Sequence, residues 1–317
     1  MRSWSRWMVL ILALSMLFTV SGCTSVPGAN QEADRGQEKQ SAGFPVTLKD
    51  DTGKQVKVKK KPERIVSLIP SMTETVYAVG AGDRVVGVTT HDNYPEEVKK
   101  VEKVGDMKIN PEKVVSLKPD LVLASTGLNG EETIEKLRKL GLTVIAYEPK
   151  DLKGVYKQIE AVGKATGNEK RASEWIKKME QEKETAEKIA SQVPEKKRAK
   201  VWVEVSPDLF TAGNHTFMNE LIILAGGENV ANGQEGWVQV SEEKVVKWNP
   251  DVILYTHSEK KEKIASRDGW KNIRAVKEDR IEHLNTDIVS RPGPRITKGL
   301  LHITKAIYPK EYARTVQ

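Results

Sequence analysis

An internal repeat constrains the fold of this 317-residue chain more than any other feature. Residues 112–123 read EKVVSLKPDLVL and residues 243–254 read EKVVKWNPDVIL, so seven of twelve positions are identical at an offset of 131 residues. Each copy predicts a helix that ends at a proline and leads into an apolar strand. Such a unit is common by itself, but each copy falls at an equivalent place in its own half of the chain. The repeat therefore predicts a duplicated lobe.

The two copies carry the same signals at the start of the helix. Asn110 and Ser241 are predicted N-caps, and Glu112 and Glu243 fall in the first turn. A carboxylate near a helix N-terminus contributes about 0.3–1 kcal/mol, which explains either glutamate taken alone. Because the repeat pairs them, we expect the two lobes to present one exposed carboxylate each on the same face. That arrangement suits docking to a two-fold partner with basic pockets.

The remaining pattern alternates strands and helices. After a hairpin over 46–58, the predicted strands lie at 64–69, 85–88, 120–124, 142–147, 199–205 and 251–255. The predicted helices lie at 72–79, 111–117, 130–140, 218–225, 242–248 and 296–307, the first with a capping box of Ser71 and Glu74. This alternation predicts an α/β fold with mainly parallel, helix-covered sheets.

Residues 151–191 hold no strand pattern and contain two helical stretches separated near 166–168. The second stretch carries one modest apolar stripe on a heavily charged background. It predicts a helical linker over 151–195, between an N-terminal lobe at 45–150 and a C-terminal lobe at 196–317. A long helix is stiffer than a hinge of extended strands, so we expect the lobes to open by a small angle.

The N-terminus has the pattern of an export signal. Arg2 and Arg6 precede an apolar run over 7–20, which is shorter than the roughly 20 residues of a spanning helix. The sequence Val20-Ser21-Gly22-Cys23 resembles the bacterial lipobox, in which the cysteine is acylated. An ordinary signal peptide with an incidental cysteine is the alternative, but Cys23 is the only cysteine, so it cannot form an internal disulfide. We predict a lipoprotein signal peptide over 1–22 and a flexible tether over 23–44.

Composition and motifs exclude several classes of protein. The net charge of +7 is scattered along the chain, and no cluster of arginines and aromatic residues indicates nucleic-acid binding. The chain lacks G-x-S-x-G, a phosphate-binding loop, H-E-x-x-H and a CxxC pair. A binding protein is therefore expected rather than an enzyme.

Several stretches together resemble the class III solute-binding lipoproteins of bacterial ABC importers, over roughly residues 60–310. The matching stretches are 63–80 (ERIVSLIPSMTETVYAVG), 87–95 (GVTTHDNYP), 112–125 (EKVVSLKPDLVLAS), 226–230 (GGENV), 237–246 (WVQVSEEKVV) and 290–295 (SRPGPR). Members of that family carry cobalamin, ferric siderophores or haem. The resemblance implies a lipid-anchored protein on the extracytoplasmic face of the cell membrane, monomeric and without a resident cofactor. It also implies that Glu112 and Glu243 pair with arginines of a permease dimer, which works with ATPase subunits.

Within the family, the chain looks most similar to the cobalamin-binding proteins. The resemblance places Trp237 at an aromatic position of the ligand cleft, Asp287 and Arg291 at polar positions, and His91 where an aromatic residue contacts the ligand. The sequence departs from the pattern at Ser125 and around 106–107, where a tryptophan would be expected.

The residues themselves leave alternatives for each of these positions. His91 follows a strand, where open α/β folds place ligands, but it equally fits a solvated loop, and no second histidine nearby indicates a metal cage. Trp237 is either a cleft aromatic, suited to a flat macrocycle, or a packed lid residue. Arg291 and Arg295 flank Pro-Gly-Pro and could bind carboxylate or amide groups of a ligand. The alternative, favoured for Arg295, is a helix-entry turn in which the arginine caps nearby carbonyls.

Three functions follow in order of preference. The first is delivery of cobalamin or a related corrinoid to an ABC permease, and the alternative is uptake of a ferric siderophore or haem. A surface lipoprotein without a transport role is the third.

Overall fold

The computed structural model describes residues 43–106 and 108–316. The predicted signal peptide, Cys23 and almost all of the predicted tether lie outside the described residues, as does Met107. Among the helices of the described part, none has the length and apolar character needed to cross a membrane.

The N-terminal lobe, defined here as the elements from Val46 to Ala146, begins with an antiparallel hairpin. Its strands β1 (Val46–Lys49) and β2 (Gln55–Val58) are joined by a turn in which Gly53 has a φ of 81°. A parallel sheet follows in the order β5-β4-β3-β6-β7. The strands are β3 (Ile65–Ser67), β4 (Val85–Val88), β5 (Glu102–Lys103), β6 (Leu121–Ala124) and β7 (Val144–Ala146). The helices are α1 (Pro70–Ala78), α2 (Pro111–Ser116), α3 (Thr126–Asn129) and α4 (Glu131–Lys139).

Two linker helices separate this lobe from the next. They are α5 (Leu152–Thr166) and α6 (Glu169–Ala190), and they pack on each other. Gly167, with a φ of 67°, ends α5 in the left-handed conformation that glycine adopts without strain. The predicted pair of helices and the break between them are confirmed.

The C-terminal lobe, defined here as the elements from Lys200 to Val316, repeats the parallel design. Its sheet has the order β10-β8-β12-β13, and β9 pairs with β11 in a separate antiparallel pair. The strands are β8 (Lys200–Glu204), β9 (Phe210–Ala212), β10 (Glu228–Asn229), β11 (Trp237–Gln239), β12 (Val252–Tyr255) and β13 (Ile281–His283). The helices are α7 (Phe217–Leu224), α8 (Glu242–Trp248), α9 (Lys261–Ala265), α10 (Arg274–Lys277), α11 (Thr286–Val289), α12 (Ile296–Ile307) and α13 (Pro309–Val316). Short 3₁₀ turns lie at Gly82–Arg84, Glu96–Lys100, Glu195–Lys197 and Trp270–Asn272.

The sequence repeat is also a repeat of backbone geometry. Lys118 and Asn249, at equivalent positions, both have a φ of 47°. The carboxylate of Asp120 accepts the backbone N–H of Arg64, and that of Asp251 accepts the backbone N–H of Lys200. Each aspartate therefore ties its own strand to the start of a neighbouring strand in its sheet.

One predicted local feature is wrong. Helix α1 begins at Pro70 with Ile69 as its N-cap, and no side chain caps it. Pro70 at the first helical position has no N–H to satisfy, which is one reason that a side-chain cap is dispensable. Ser71 and Glu74 therefore form no capping box, and Glu74 turns instead toward the C-terminal lobe.

Candidate functional site

The carboxyl ends of the two parallel sheets face each other. The loop after β4 meets the segment after β13, where the Asn93 amide donates to Asp287 at 2.7 Å. Arg291 donates to the side-chain oxygen of Asn93 at 2.8 Å and to the backbone carbonyl of His91 at 3.2 Å. In open α/β folds, ligands bind outside the carboxyl ends of the strands. The region where the lobes meet is therefore the candidate ligand cleft.

His91 lies at this edge with an exposed side chain, and its backbone carbonyl contacts the other lobe. The loop around it is fixed by Asp92, only 4% exposed, whose carboxylate accepts the backbone N–H of Thr89 at 2.8 Å and its hydroxyl at 2.6 Å. A buried aspartate that bonds three residues back holds the loop without help from a ligand.

Asp287 and Arg291 form an ion pair at 2.8 Å beside the cleft. Arg291 also binds Glu74 of α1 at 2.9 Å, so its guanidinium already has protein acceptors in both lobes. The structure therefore brings His91, Asp287 and Arg291 together, and what it shows is contact between lobes. Their contact with a ligand stays a prediction.

Arg295 does not cap carbonyls, contrary to the favoured expectation. It occupies the N-cap of α12, and its guanidinium donates to Glu74 at 2.8 and 2.6 Å. The same guanidinium lies 4.0 Å from the centre of the Tyr94 ring, a cation–π distance. Burial alone lowers the pKa of Arg295, but the hydrogen bonds and charge of Glu74 outweigh burial and raise that pKa above its ordinary value.

Trp237 belongs to an aromatic shelf, defined here as Phe210, Phe217 and Trp237. The Trp237 and Phe210 rings stack at 6.4 Å with an interplanar angle of 10°, and the Phe217 ring lies 5.5 Å from Trp237. Trp237 pairs across the strands with Ala212, two residues from Phe210, so both rings stand on one face of the β9–β11 pair. With 40% of Trp237 exposed, the shelf offers an aromatic surface rather than a closed core.

Ser125, where the family resemblance led us to expect a tryptophan, is a buried polar residue directly after β6. It is 2% exposed, its oxygen caps α3 by accepting the backbone N–H of Leu128, and its hydroxyl donates to Glu148. A small polar side chain thus ends β6 at the cleft edge where the family pattern has a tryptophan.

Glu112 and Glu243 occupy matched places in the two lobes. Each is the second residue of a short helix, α2 or α8, that leads into a central strand of its sheet, β6 or β12. Asn110 and Ser241 cap these helices through their side chains, as predicted. A helix that precedes a parallel strand begins at the carboxyl edge of the sheet, so both glutamates lie on the cleft side of their lobes.

Both carboxylates are open to solvent. The Glu112 side chain is 78% exposed, with Lys136 at 3.9 Å. The pKa of Glu243 is lowered by a hydrogen bond from the Ser241 hydroxyl and by a second one from the backbone N–H of Glu243 itself. Glu243 therefore stays ionised into acidic conditions.

A second cluster of ionisable groups lies inside the C-terminal lobe. Ligand-type atoms of Glu204, His257 and Glu259 lie within 4.8 Å of one another, a spacing compatible with a metal ion. However, both oxygens of Glu204 accept hydrogen bonds from Arg267 at 2.7 Å, and Arg267 also contacts Glu259. A divalent ion would have to displace this buried cation. The cluster therefore fits an internal ion-pair network better than a metal centre.

Two parallel α/β lobes, helical linkers and a cleft at facing sheet edges define a two-lobed ligand-binding protein. The chain belongs to the periplasmic binding protein family, whose model matches residues 65–287. An uncharacterized ABC transporter substrate-binding lipoprotein of Bacillus subtilis (strain 168) is 43% identical over 96% of this chain and 97% of its own length. The vitamin B12-binding protein of Yersinia pseudotuberculosis is 32% identical, covering 74% of this chain and 82% of its own.

A solved structure gives the same picture of the fold. A possible iron-binding (periplasmic solute-binding) protein from Staphylococcus epidermidis ATCC 12228 is 38% identical and aligns with a TM-score of 0.68. The alignment covers 78% of this chain and 100% of that one. The expected two-lobed family and the expectation of a solute-binding protein rather than an enzyme are confirmed by these relatives.

Five residues of the site were not predicted to belong to it: Glu74, Asn93, Tyr94, Phe210 and Phe217. Asn93 and Tyr94 lie in the matched stretch 87–95, close to His91 in the sequence. Phe210 and Phe217 carried no signal of their own, because an isolated phenylalanine in a sequence fits an ordinary core position equally well. Glu74 gave a misleading signal, because a glutamate three residues after a serine also fits a capping box.

Proposed function

We propose that this chain is the lipid-anchored, extracytoplasmic substrate-binding protein of an ABC importer, and that it carries cobalamin or a related corrinoid. The aromatic shelf is the observation that supports the ligand most directly. A corrinoid presents a large, flat ring, and aromatic side chains bind such a face through area and dispersion. The similarity to a vitamin B12-binding protein supports the same choice.

Cys23 in its lipobox-like sequence and the similarity to a lipoprotein support the proposed location. Two acyl chains on Cys23 would anchor the protein stably, and the segment over 23–44 would act as the tether. Anchoring raises the local concentration of the binding protein at a permease in the same membrane. Glu112 and Glu243 would then dock a monomer onto the permease dimer, which its ATPase subunits drive.

An iron complex is the second candidate, for two reasons. The Staphylococcus epidermidis protein that is 38% identical to this chain is described as a possible iron-binding protein. In addition, Ser125 puts a small polar side chain at the end of β6 where an aromatic residue was expected, which reduces the support for a corrinoid. A ferric siderophore or haem would use the same cleft, so the two candidates differ in ligand and not in mechanism.

Quenching of tryptophan fluorescence separates the candidates. The purified full chain is titrated with cobalamin, with haem and with ferric siderophores, and Trp237→Phe is compared with Trp175→Phe. Trp175 is a matched control because it lies on α6, stacked under Lys178 rather than on the shelf. We expect saturable quenching by cobalamin, with affinity reduced in Trp237→Phe alone. Saturation by an iron complex alone would select the second candidate, and no saturation by any compound would support a surface lipoprotein without transport.

A further inference from the structure

Glu74 is a buried carboxylate whose partners all come from the other lobe. Its side chain is 2% exposed, and it accepts hydrogen bonds from Arg291 at 2.9 Å and from Arg295 at 2.8 and 2.6 Å. A carboxylate removed from water is costly unless cations and hydrogen bonds replace the solvent. Here the two replacing cations sit 217 and 221 residues further along the chain. The ion pairs therefore exist only while the lobes are closed at this edge.

The contact around Glu74 is tight as well as charged. A Cβ added to Gly293 would lie 3.0 Å from the backbone oxygen of Ser71, so only glycine fits easily between its two prolines and α1. The amide of Gln158, on linker helix α5, donates to the backbone oxygen of Pro292 at 3.3 Å. The segment over 290–295 is therefore seated on both α1 and the linker.

The charges at this contact balance. Glu74 and Asp287 carry two negative charges, and Arg291 and Arg295 carry two positive charges, all joined by ion pairs of 2.9 Å or less. Asn93 and Tyr94 complete the contact from the N-terminal lobe. We name these six residues, Glu74, Asn93, Tyr94, Asp287, Arg291 and Arg295, the interlobe clasp. A balanced cluster has little charge left for an ionic group of a ligand.

We propose that Glu74 is a positioning residue: through the interlobe clasp it holds the lobes closed at this edge before any ligand binds, and it fixes Arg291 beside the cleft. The part that concerns ligand capture rests on the proposed function. The closure itself does not, because every contact that carries it is between protein groups. Without the Glu74 charge, two guanidinium groups would face each other with one carboxylate, and their repulsion would favour an open state.

Distances between spin labels in the ligand-free full chain test this directly. Cys23→Ser removes the only cysteine, and Glu132→Cys with Asp268→Cys places one exposed label in each lobe. In this background we compare Glu74→Gln with Glu204→Gln. Glu204 is the matched control, because it is also a buried carboxylate bound by an arginine, but its partners lie within one lobe. We expect a longer-distance population in Glu74→Gln and an unchanged distribution in Glu204→Gln.

A second variant covers the possibility that Glu74→Gln fails to fold. Glu74→Gln combined with Arg295→Gln removes one charge of each sign, so the remaining Arg291 keeps Asp287 as its counterion. Because the three charged hydrogen bonds to Glu74 are lost, this double variant should also show the longer distance. Its dissociation rate for cobalamin should rise, since most affinity changes are expressed in the dissociation rate. A distribution identical to the parent in both Glu74 variants would overturn the proposal. Because the distances are measured without ligand, that result is independent of whether cobalamin binds.

Discussion

Gly293 lies between Pro292 and Pro294 at the place where the segment 290–295 rests on α1. Its missing side chain sets how closely the lobes approach, because a Cβ there would meet the Ser71 carbonyl at 3.0 Å. Because the Ser71 atom that the added Cβ would meet belongs to the backbone, the contact cannot be relieved by a side-chain rotation. A single methyl group at this position therefore acts on the distance between lobes rather than on the core of either lobe.

We predict that Gly293→Ala shifts the interlobe distance outward by a few tenths of an ångström and destabilises the protein by about 1 kcal/mol, the cost typical of overpacking. Gly233→Ala is the control, since a Cβ there meets nothing within 4 Å and Gly233 lacks a positive φ. That control should be neutral or slightly stabilising. Urea unfolding of both variants measures the change in stability, and crystal structures of both measure the displacement at the Ser71 contact. Equal behaviour of the two variants would show that the Ser71 contact relaxes without cost.

At the scale of elements, the joint between α7 and linker helix α5 depends on Glu220. Its carboxylate accepts the backbone N–H of Leu152, the first residue of α5, at 2.7 Å. Burial raises the pKa of Glu220 above its ordinary 4.5, and the hydrogen bond from Leu152 offsets only part of that rise. The folded protein consequently holds a proton at this site that the unfolded chain releases earlier as the pH rises.

The sign of the pH dependence follows from this raised pKa. The contribution of Glu220 to stability is fully present below pH 4.5 and is lost as the pH rises through the folded pKa. We predict that Glu220→Gln, which keeps an acceptor for Leu152, matches the parent at pH 4 and exceeds it at pH 7. The gain should be no more than about 1 kcal/mol, because solvent screens a half-exposed carboxylate. Glu132→Gln, on an exposed part of α4, should be flat in the same urea titrations. A less stable Glu220→Gln at pH 7 would mean that the charge favours the α5 N-terminus more than burial opposes it.

The sequence predicted those helices and strands well that are defined by residues close together in the chain. Strand β4 at 85–88 and helix α12 at 296–307 match the prediction to the residue, because buried apolar runs and turn residues define them. The β9–β11 pair was not predicted, since three-residue strands separated by 24 residues leave no periodic signal. The residues of the candidate site also differ in how well the sequence predicted them. Trp237 could be proposed from the motif that contains it. The partners of Glu74 lie more than 200 residues further along the chain, and no local sequence pattern predicts contacts at that separation.

On the scale of the whole molecule, one apolar core runs through both lobes. It extends from Ile65 and Leu121 in the N-terminal sheet, through Ile159 and Met179 on the linker helices, to Val201 and others in the C-terminal lobe. A close-packed core transmits strain and resists continuous deformation. The linker is thus part of both lobes, which supports the expected small opening angle, and the interlobe clasp joins the two lobes directly beside it.

The shared core also fixes the positions of Glu112 and Glu243, the two residues that we propose dock onto a permease. Each lies on the cleft side of its own lobe, and a two-fold partner must meet both at once. We predict that the double variant Glu112→Lys/Glu243→Lys abolishes uptake in whole cells while ligand affinity, measured by fluorescence, stays unchanged. Each single reversal should reduce uptake only in part, because one docking contact remains. Surface charge pairs are screened by salt, so the partial defects should deepen as ionic strength rises.

The matched control is the double variant Glu131→Lys/Glu262→Lys. These glutamates lie in the first turns of α4 and α9, one in each lobe, and are also exposed. The control therefore changes the net charge by the same amount, and it also replaces a glutamate by a lysine in the first turn of one helix in each lobe. If both double variants lose uptake equally, the defect arises from overall charge and the docking proposal is wrong. If only the Glu112 and Glu243 variant loses uptake but its ligand affinity also falls, the glutamates act on the cleft rather than on the permease. Loss of uptake with intact affinity, confined to this pair, is the result that a two-point docking surface requires.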